Sequence, residues 1–443
     1  MIGGSMRQRE GLIAVVIVAS GLGYIAAGTR VADAQAGRAG GFPAVAGAIG
    51  ALDVTGPYQV AEGWPKDLST LPGNEKWTWG AGQGVFAESP DRVYVIQRGE
   101  LPVLPQQTGR GFRGTPIPQI GPGLTFPVMG LWRNATTASP PGVLEVNGRV
   151  GDDSDVGKAG VDFLWENCIV VVNRAGDIIE RWNQWDKMLR RPHSIYVSPY
   201  DPEKNVWLVD DYRHAIFKFT HDGKTLLQTI GEPNVHASDD KHFYRPTFMA
   251  FQPDGSMYVA DGYANTRVVK LDKNGKYITS WGERGSGGGP PGSNSAPETR
   301  PSYFNNVHGV TVDPATRQVY VNDRGNQRVQ VFDENGKFIR MWKFGPERAD
   351  MHFVHIDADR RLWTFDNVTQ RLMQWDLDGH LVYAWGGLGS YAGALWGVHG
   401  ISVDQEQNVY LAAVGRGGVQ KFSPRLGANP AYLVGKPVYS AWK

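Results

Sequence analysis

The chain of 443 residues has a single cysteine, Cys168, so no disulfide can form within it. Its charges nearly cancel, because 45 Lys and Arg residues stand against 44 Asp and Glu, leaving a net charge of +1. Nucleic-acid binding usually requires a concentrated basic surface, and this balance argues against it. Beyond residue 36 no apolar run approaches the roughly 20 residues that span a bilayer. Because no disulfide is available, the stability of the fold must come from packing, together with any bound metal.

Common catalytic motifs are missing as well. The sequence contains no G-x-S-x-G element, no phosphate-binding loop and no H-E-x-x-H helix motif. A covalently attached haem is excluded because C-x-x-C-H requires two cysteines. Serine hydrolase, nucleotide-dependent and zincin-type chemistry are thereby disfavoured.

What is present is a repeat with abundant turns. Glycine occurs 57 times and proline 28 times, and 11% of the residues are aromatic, which favours many short strands. Similar units begin at 193, 247, 308, 352 and 399, and these starts are 54, 61, 44 and 47 residues apart, as in propeller blades. Hairpin turns are indicated at equivalent places by Asp222-Gly223, Asn274-Gly275, Asn335-Gly336 and Asp378-Gly379.

These repeats predict an all-β, six-bladed β-propeller with four-stranded antiparallel blades around a central axis. Residues 85–99 and 167–182 read as the two halves of the sixth blade. Either the C-terminal segment AYLVGKPVYSAWK supplies the last strand, or it joins the first blade; both arrangements would close the ring and hide its edges.

The predicted domain boundaries follow composition. Residues 1–36 have the layout of a secretory signal peptide, with arginines before an apolar stretch and Ala34-Gln35-Ala36 as a cleavage site. We therefore expect a periplasmic or extracellular protein that does not contact the membrane after cleavage; the alternative is an uncleaved segment that stays as a membrane anchor. Residues 37–75 read as an extended lead-in and 76–443 as the propeller. Two insertions rich in Pro and Gly, at about 100–160 and 283–302, are either surface decoration or a substrate lid.

Three histidines occupy one repeated position, at the start of an inner strand: His193 in RPHSI, His308 in VHGV and His399 in VHGI. A closed ring brings equivalent atoms of its blades together, so these side chains are predicted to form one metal site. His352 occupies the same position in another blade, where a substrate contact, an extra ligand and simple packing remain open. His355 is expected to face away from His352, because odd spacing on a strand reverses the side chain.

Six motifs follow one another along the chain: QRG at 97–99, RPHSI, DGYANTR, VHGV, NDRGNQR and VHGI. This ordered set resembles the peptidyl-α-hydroxyglycine α-amidating lyase family, and the likeness covers roughly residues 80–425. The resemblance implies a propeller of the NHL-repeat type and a small-molecule or peptide substrate. In the implied reaction, a peptidyl or N-acyl-α-hydroxyglycine is cleaved to an amide and glyoxylate.

The resemblance also assigns roles to individual residues. It implies a catalytic zinc bound by His193, His308 and His399, with Tyr263 as catalytic base and the arginines Arg98 and Arg324 in the active site. Three imidazoles leave one position on zinc open, as catalytic zinc requires. Arginine can hold a carboxylate through two parallel hydrogen bonds, a geometry that lysine cannot match.

A calcium ion is implied too, bound partly by the backbone carbonyls of Val85 and Ile195. However, Gly400 stands where the carboxylate ligand of that ion belongs, and Gly397 replaces a methionine expected before the third histidine. These departures indicate a reshaped pocket.

Two other functions fit the same sequence. One is a non-catalytic NHL-type propeller that binds protein or polysaccharide and carries vestigial histidines. The other is a zinc lyase or hydrolase acting on a different small hydroxy-acid carbinolamide. Loss of turnover on substitution of Tyr263 or Arg98 separates an enzyme from a binding module.

Overall fold

A computed structural model gives the structure of residues 54–103, 160–161, 163–284, 298–345, 348–389 and 391–438. The predicted signal peptide and most of both predicted insertions lie outside these ranges. Within them the chain forms strands, turns and four short 3-10 helices, at Leu68–Thr70, Asn183–Trp185, Arg324–Asn326 and Pro430–Tyr432.

The strands of the described ranges, in chain order, are β1 (Tyr58–Val60), β2 (Trp77–Trp79), β3 (Gly82–Ser89), β4 (Arg92–Gln97), β5 (Glu100–Pro102), β6 (Ile169–Val172), β7 (Ile178–Arg181), β8 (Pro192–Val197), β9 (Val206–Asp210), β10 (Ala215–Phe219), β11 (Leu226–Ile230), β12 (Pro246–Phe251), β13 (Met257–Asp261), β14 (Arg267–Leu271), β15 (Tyr277–Trp281), β16 (Glu283–Arg284), β17 (Tyr303–Phe304), β18 (Val307–Asp313), β19 (Gln318–Asp323), β20 (Arg328–Phe332), β21 (Phe338–Lys343), β22 (Met351–Ile356), β23 (Leu362–Asp366), β24 (Arg371–Trp375), β25 (Leu381–Trp385), β26 (Val398–Val403), β27 (Val409–Ala413) and β28 (Val419–Pro424).

Six four-stranded antiparallel sheets form the blades. In chain order they are β3-β4-β6-β7, β8 to β11, β12 to β15, β18 to β21, β22 to β25, and β26-β27-β28 completed by β1, here called blades 1 to 6. The inner strands contact their neighbours all round, β3 with β8, β8 with β12, β12 with β18, β18 with β22, β22 with β26, and β26 with β3. The prediction of a six-bladed β-propeller is confirmed.

Ring closure differs from both arrangements expected for the C-terminus. The outer strand of blade 6 is β1, from the segment predicted as an extended lead-in, and it pairs Tyr58 with Pro424 and Val60 with Phe422. The described part of the C-terminal segment, residues 431–438, instead lies against this seam, where the Val434 N–H donates to the Tyr58 hydroxyl at 2.7 Å. The propeller thus begins before residue 76, its predicted first residue, because β1 covers the edge that β28 would otherwise expose.

The four Asx-Gly turns lie where the sequence predicts hairpins. Only their glycines take positive φ, from 67° to 93° at Gly223, Gly275, Gly336 and Gly379. In each hairpin the strand pairing shifts by one residue beside the turn. These hairpins therefore carry bulges and are not the tightest two-residue form, in which both central residues have positive φ.

The core lies between the blades. Where blades 1 and 2 meet, Tyr94 and Ile96 pack with Ile195, Leu208 and Phe217, all at most 2% exposed. This packing fixes the inner strands, whose side chains line the axis.

No helix of the described residues is long and apolar enough to cross a membrane.

Candidate active site

The three predicted histidines converge on the axis. Each is the second residue of an inner strand, in β8, β18 and β26, and is at most 4% exposed. In all three blades the pairing with the next strand shifts at the histidine. Such bulges redirect a side chain, and here they coincide with the rings that face the axis.

Their ligand atoms form one cluster. One ring nitrogen from each of His193, His308 and His399 lies within 4.8 Å of the other two. The ring centroids are 5.3 Å apart for His193 and His308, 4.6 Å for His193 and His399, and 5.2 Å for His308 and His399. A metal ion between the three nitrogens would require only small side-chain movements.

Hydrogen bonds between blades set the tautomers. Nδ1 of His193 lies 3.0 Å from the carbonyl oxygen of Thr247, Nδ1 of His399 lies 2.7 Å from that of Gln83, and Nδ1 of His308 bonds the carbonyl of His352. Because a carbonyl only accepts, each Nδ1 carries the proton and each Nε2 presents a lone pair. This is the arrangement in which histidine binds a metal.

The donor set fits a metal ion. Burial, together with neighbouring imidazoles and arginines, holds the pKa of all three histidines well below the ordinary value, so the rings are neutral. Nε2 of His399 is buried and has no hydrogen-bond partner among the described residues. A buried lone pair without a partner is costly, and a bound cation would satisfy it.

Tyr263 sits over this cluster. Its hydroxyl is 2.8 Å from Nε2 of His308 and 3.3 Å from Nε2 of His193. Gly262 allows this position, because a Cβ there would lie 2.1 Å from the carbonyl oxygen of Val307. The structure therefore brings the predicted base to the predicted metal site.

The two predicted arginines, Arg98 and Arg324, lie near the histidine cluster but have different hydrogen-bond partners. Arg98 is 2% exposed and donates to the side chain of Gln83 at 2.5 Å; burial, together with the nearby Arg191, lowers its pKa to about 9. Arg324 donates to both oxygens of Asp350, at 2.5 and 3.1 Å. Burial disfavours its charge, but hydrogen bonds to Asp350 and Tyr263 hold the pKa of Arg324 above the ordinary value.

His352 lies beside the cluster. Its ring centroid is 6.2 Å from that of His308 and 5.8 Å from that of His399, and its Nδ1 is 2.8 Å from the carbonyl oxygen of Val398. Its Nε2 lies 3.7 Å from a carboxylate oxygen of Asp350. The metal-ligand cluster of the described residues does not include His352, and a substrate contact remains a prediction.

Sequence reasoning did not identify Phe248. Its ring packs against all three histidine rings, with centroids 5.1, 5.3 and 5.4 Å away, and it also lines an axial cavity of about 220 Å³ behind them. It follows Thr247, which takes the histidine position in blade 3, so alignment of the repeats would have pointed to it.

The implied calcium site has a weaker donor set. Val85, Ile195 and Gly400 all line the axial cavity, whose walls are largely apolar. Asp357 is the one carboxylate among the described lining residues, and it is bonded to Arg361 and Trp363. A side chain at 400 would place its Cβ 3.1 Å from the Gly84 backbone. The described lining thus supplies no carboxylate at the position where the expected calcium ligand belongs, and the calcium ion stays a prediction.

Comparison with known proteins supports the same family. An NHL repeat model matches residues 304–332. The chain is 33% identical over 193 residues to peptidyl-glycine alpha-amidating monooxygenase A of Xenopus laevis, covering 42% of this chain and 19% of that protein. It is 38% identical over 151 residues to peptidyl-alpha-hydroxyglycine alpha-amidating lyase 1 of Drosophila melanogaster, covering 33% and 26%.

A probable peptidyl-alpha-hydroxyglycine alpha-amidating lyase of Caenorhabditis elegans is 26% identical over 191 residues, covering 42% of this chain and 50% of that protein. The matched region thus spans between about a fifth and a half of these relatives. Together with the propeller and the NHL repeat, these relatives confirm the resemblance indicated by the motifs, and they support a lyase-type function in the broad sense.

Proposed function

From this kinship with amidating lyases, we propose that the chain is a zinc-dependent carbon-nitrogen lyase. Its substrate is a peptidyl or N-acyl-α-hydroxyglycine, and its products are an amide and glyoxylate. The observation that carries the proposal is the Tyr263 hydroxyl, which lies within 3.3 Å of two of the three clustered Nε2 atoms.

Zinc is the metal that best suits the donors. Three neutral imidazoles are a common ligand set of catalytic zinc, and they leave one position for substrate. When bound, zinc acts as a Lewis acid that makes the substrate hydroxyl easier to deprotonate.

The remaining work falls to the side chains. Arg98 and Arg324 hold the substrate carboxylate; in the case of Arg324, this requires sharing its guanidinium with Asp350. Tyr263 reacts in its phenolate form, and its oxygen takes the proton of the substrate hydroxyl. As the C–O bond becomes a carbonyl, the C–N bond breaks and its electron pair remains on nitrogen. The proton held at Tyr263 then passes to that nitrogen, so atoms and charge balance without water.

The test is glyoxylate release from α-hydroxyhippurate by the zinc-loaded protein. Replacing Tyr263 with Phe removes the hydroxyl, and we expect kcat to fall about 10²- to 10⁴-fold while the bound metal is retained. Tyr258→Phe is the matched control, because its hydroxyl donates to the Glu334 carbonyl, away from the axis. A folded, zinc-loaded wild-type protein that releases no glyoxylate, or a Tyr263→Phe variant with full kcat, would overturn the proposal.

A further inference from the structure

Two arginines outside the predicted site occupy equivalent positions in adjacent blades. Arg191 precedes Pro192 and His193 at the start of β8, and Arg245 precedes Pro246 and Thr247 at the start of β12. Their side chains are 14% and 11% exposed, so both are largely buried but keep some contact with solvent.

Both guanidinium groups face the tyrosine of the site. The guanidinium carbon lies 5.7 Å from the Tyr263 ring centroid for Arg191 and 4.8 Å for Arg245. The two groups also share the ring of Tyr212, at 4.4 and 4.8 Å, and Arg191 donates to its hydroxyl. The two arginines and two tyrosines thus form one wall beside the histidine cluster, which we call the arginine wall.

One carboxylate, that of Asp211, lies next to both arginines. Oδ2 of the buried Asp211 accepts from Nε and Nη2 of Arg245, at 3.1 and 3.0 Å. Oδ1 of Asp211 lies 3.3 Å from Nε of Arg191, yet neither of these atoms makes a hydrogen bond within the described residues. Asp211 carries a single negative charge, which Arg245 contacts through two hydrogen bonds and Arg191 through an ion pair, so the two guanidinium groups carry one positive charge more than this carboxylate offsets.

Positive charge consequently exceeds negative charge around Tyr263. Four guanidinium groups surround it, those of Arg98, Arg191, Arg245 and Arg324, whereas Asp211 and Asp350 are the carboxylates paired with them. The nearby Asp210 accepts from backbone N–H groups, and its charge acts on two other arginines, Arg190 and Arg213. A bound divalent metal would increase this surplus, and the single carboxylate of a simple α-hydroxyglycine would offset only one charge.

We infer that the arginine wall is a binding site for a second anionic group of the substrate. This inference rests on the proposed function and narrows its substrate class to N-acyl-α-hydroxyglycines whose acyl part carries its own carboxylate. Arg98 and Arg324 hold the glycine carboxylate, and Arg191 and Arg245 hold the acyl carboxylate. A guanidinium group offers several donors in one plane to a carboxylate. In Arg245, Nε and Nη2 already donate to Asp211, so Nη1 is the nitrogen that would contact the substrate.

The experiment compares two substrates of equal shape. N-succinyl-α-hydroxyglycine carries the second carboxylate, and N-succinamoyl-α-hydroxyglycine has a neutral amide in its place. We expect kcat/KM for glyoxylate release to be about ten- to a hundredfold higher for the succinyl compound, with the difference mainly in KM, as a charged hydrogen-bonded pair provides.

Arg191→Gln should bring this ratio close to one, and Arg191→Lys should restore part of it, because lysine keeps the charge but loses the paired donors. Arg213→Gln is the matched control. It removes a nearby positive charge whose Nε bonds the Met188 carbonyl, and the ratio should stay at the wild-type value.

A measurement on the wild-type protein tests the same inference even if the variants fail to fold. Raising the salt concentration from about 0.02 to 0.5 M should lower the wild-type ratio severalfold, since screening weakens attraction between charges. Equal kcat/KM for both substrates, or a ratio unaffected by Arg191→Gln, would overturn the inference and leave the lyase activity standing. Absence of glyoxylate release from either substrate would instead overturn the proposed function.

Discussion

At the scale of single residues, Phe248 has an unusual position, because one ring supports three candidate metal ligands. It is 8% exposed and contacts the rings of His193, His308 and His399 on one side, while its other side lines the axial cavity. The hydrogen bonds at Nδ1 fix the rotation of each imidazole, and Phe248 fills the space beneath them.

We predict that Phe248→Ala lowers the free energy of unfolding by about 3–5 kcal/mol, because it joins a new hole to an existing cavity. Urea unfolding of the metal-free protein measures this change. Phe251→Ala in the same strand is the control and should cost less, since Phe251 is only partly buried. A loss below about 1 kcal/mol for Phe248→Ala would contradict the supporting role.

The sequence predicted the clustering of the three histidines, since repetition places them at one blade position. Asp261 and Asp323 also recur, and in the structure they pair with Arg267 and Arg328. Arg191, Arg245 and Phe248 were missed because their roles depend on contacts between blades. The motif Arg-Pro at both 191–192 and 245–246 was a visible signal, yet only packing shows that both arginines face Tyr263.

At the scale of elements, the informative feature is the seam of blade 6. Strand β1 completes the sheet through three backbone pairs, and Arg425 fastens it by donating to the carbonyl of Tyr58 at 2.6 Å. Tyr58 itself is fully buried, and burial raises the pKa of its hydroxyl. The ring is thereby closed by Tyr58–Val60, and the described C-terminal residues pack against this seam and continue to the axial cavity, which Lys436, Pro437 and Val438 help to line.

We predict that Tyr58→Phe costs about 1–3 kcal/mol, because it leaves the buried N–H of Val434 without an acceptor. The shift of the urea midpoint measures this cost. Tyr277→Phe, whose hydroxyl bonds only the Ser280 side chain in the described residues, should change stability by less than about 0.5 kcal/mol. Equal effects of the two substitutions would contradict the structural role of the seam.

Hairpins and inner strands could be predicted from the sequence because turn residues and alternating apolar residues recur in every blade. The closing strand could not, because Tyr58–Val60 is only three residues long and pairs with a strand more than 360 positions away. The bulges at the histidines also escaped prediction, since no local residue preference distinguishes them.

At the scale of the whole molecule, two buried carboxyl groups link stability to pH. Burial raises the pKa of Glu100 to about 7 and that of Asp186 to about 7. Glu100 lies in β5, and the Asp186 oxygens accept from the backbone of Asn167 and Cys168 at 3.0 Å. Both groups bind a proton more tightly in the folded state. Their contribution to stability is complete below the ordinary carboxyl pKa of about 4 and is lost as pH rises to about 7.

Buried histidines with lowered pKa act in the opposite direction over much of this range, so the difference between variants is the informative quantity. We predict that Asp186→Asn makes the slope of unfolding free energy against pH more positive by up to about 1.4 kcal/mol per pH unit between pH 5 and 7. Asp222→Asn is the control, because hydrogen bonds lower the pKa of that exposed group and move its titration below the window. An unchanged slope in Asp186→Asn would contradict the raised pKa.

The central claim is that three blades contribute one histidine each to a metal site that serves the lyase reaction. The measurement that tests it most directly is the zinc content of the loaded and desalted protein together with glyoxylate release, in the wild type, His308→Ala and His352→Ala. We expect about one zinc per chain in the wild type and in His352→Ala. His308→Ala should lose both zinc and glyoxylate release. A wild-type protein that retains no zinc, or a His308→Ala variant that releases glyoxylate at the wild-type rate, would contradict the account.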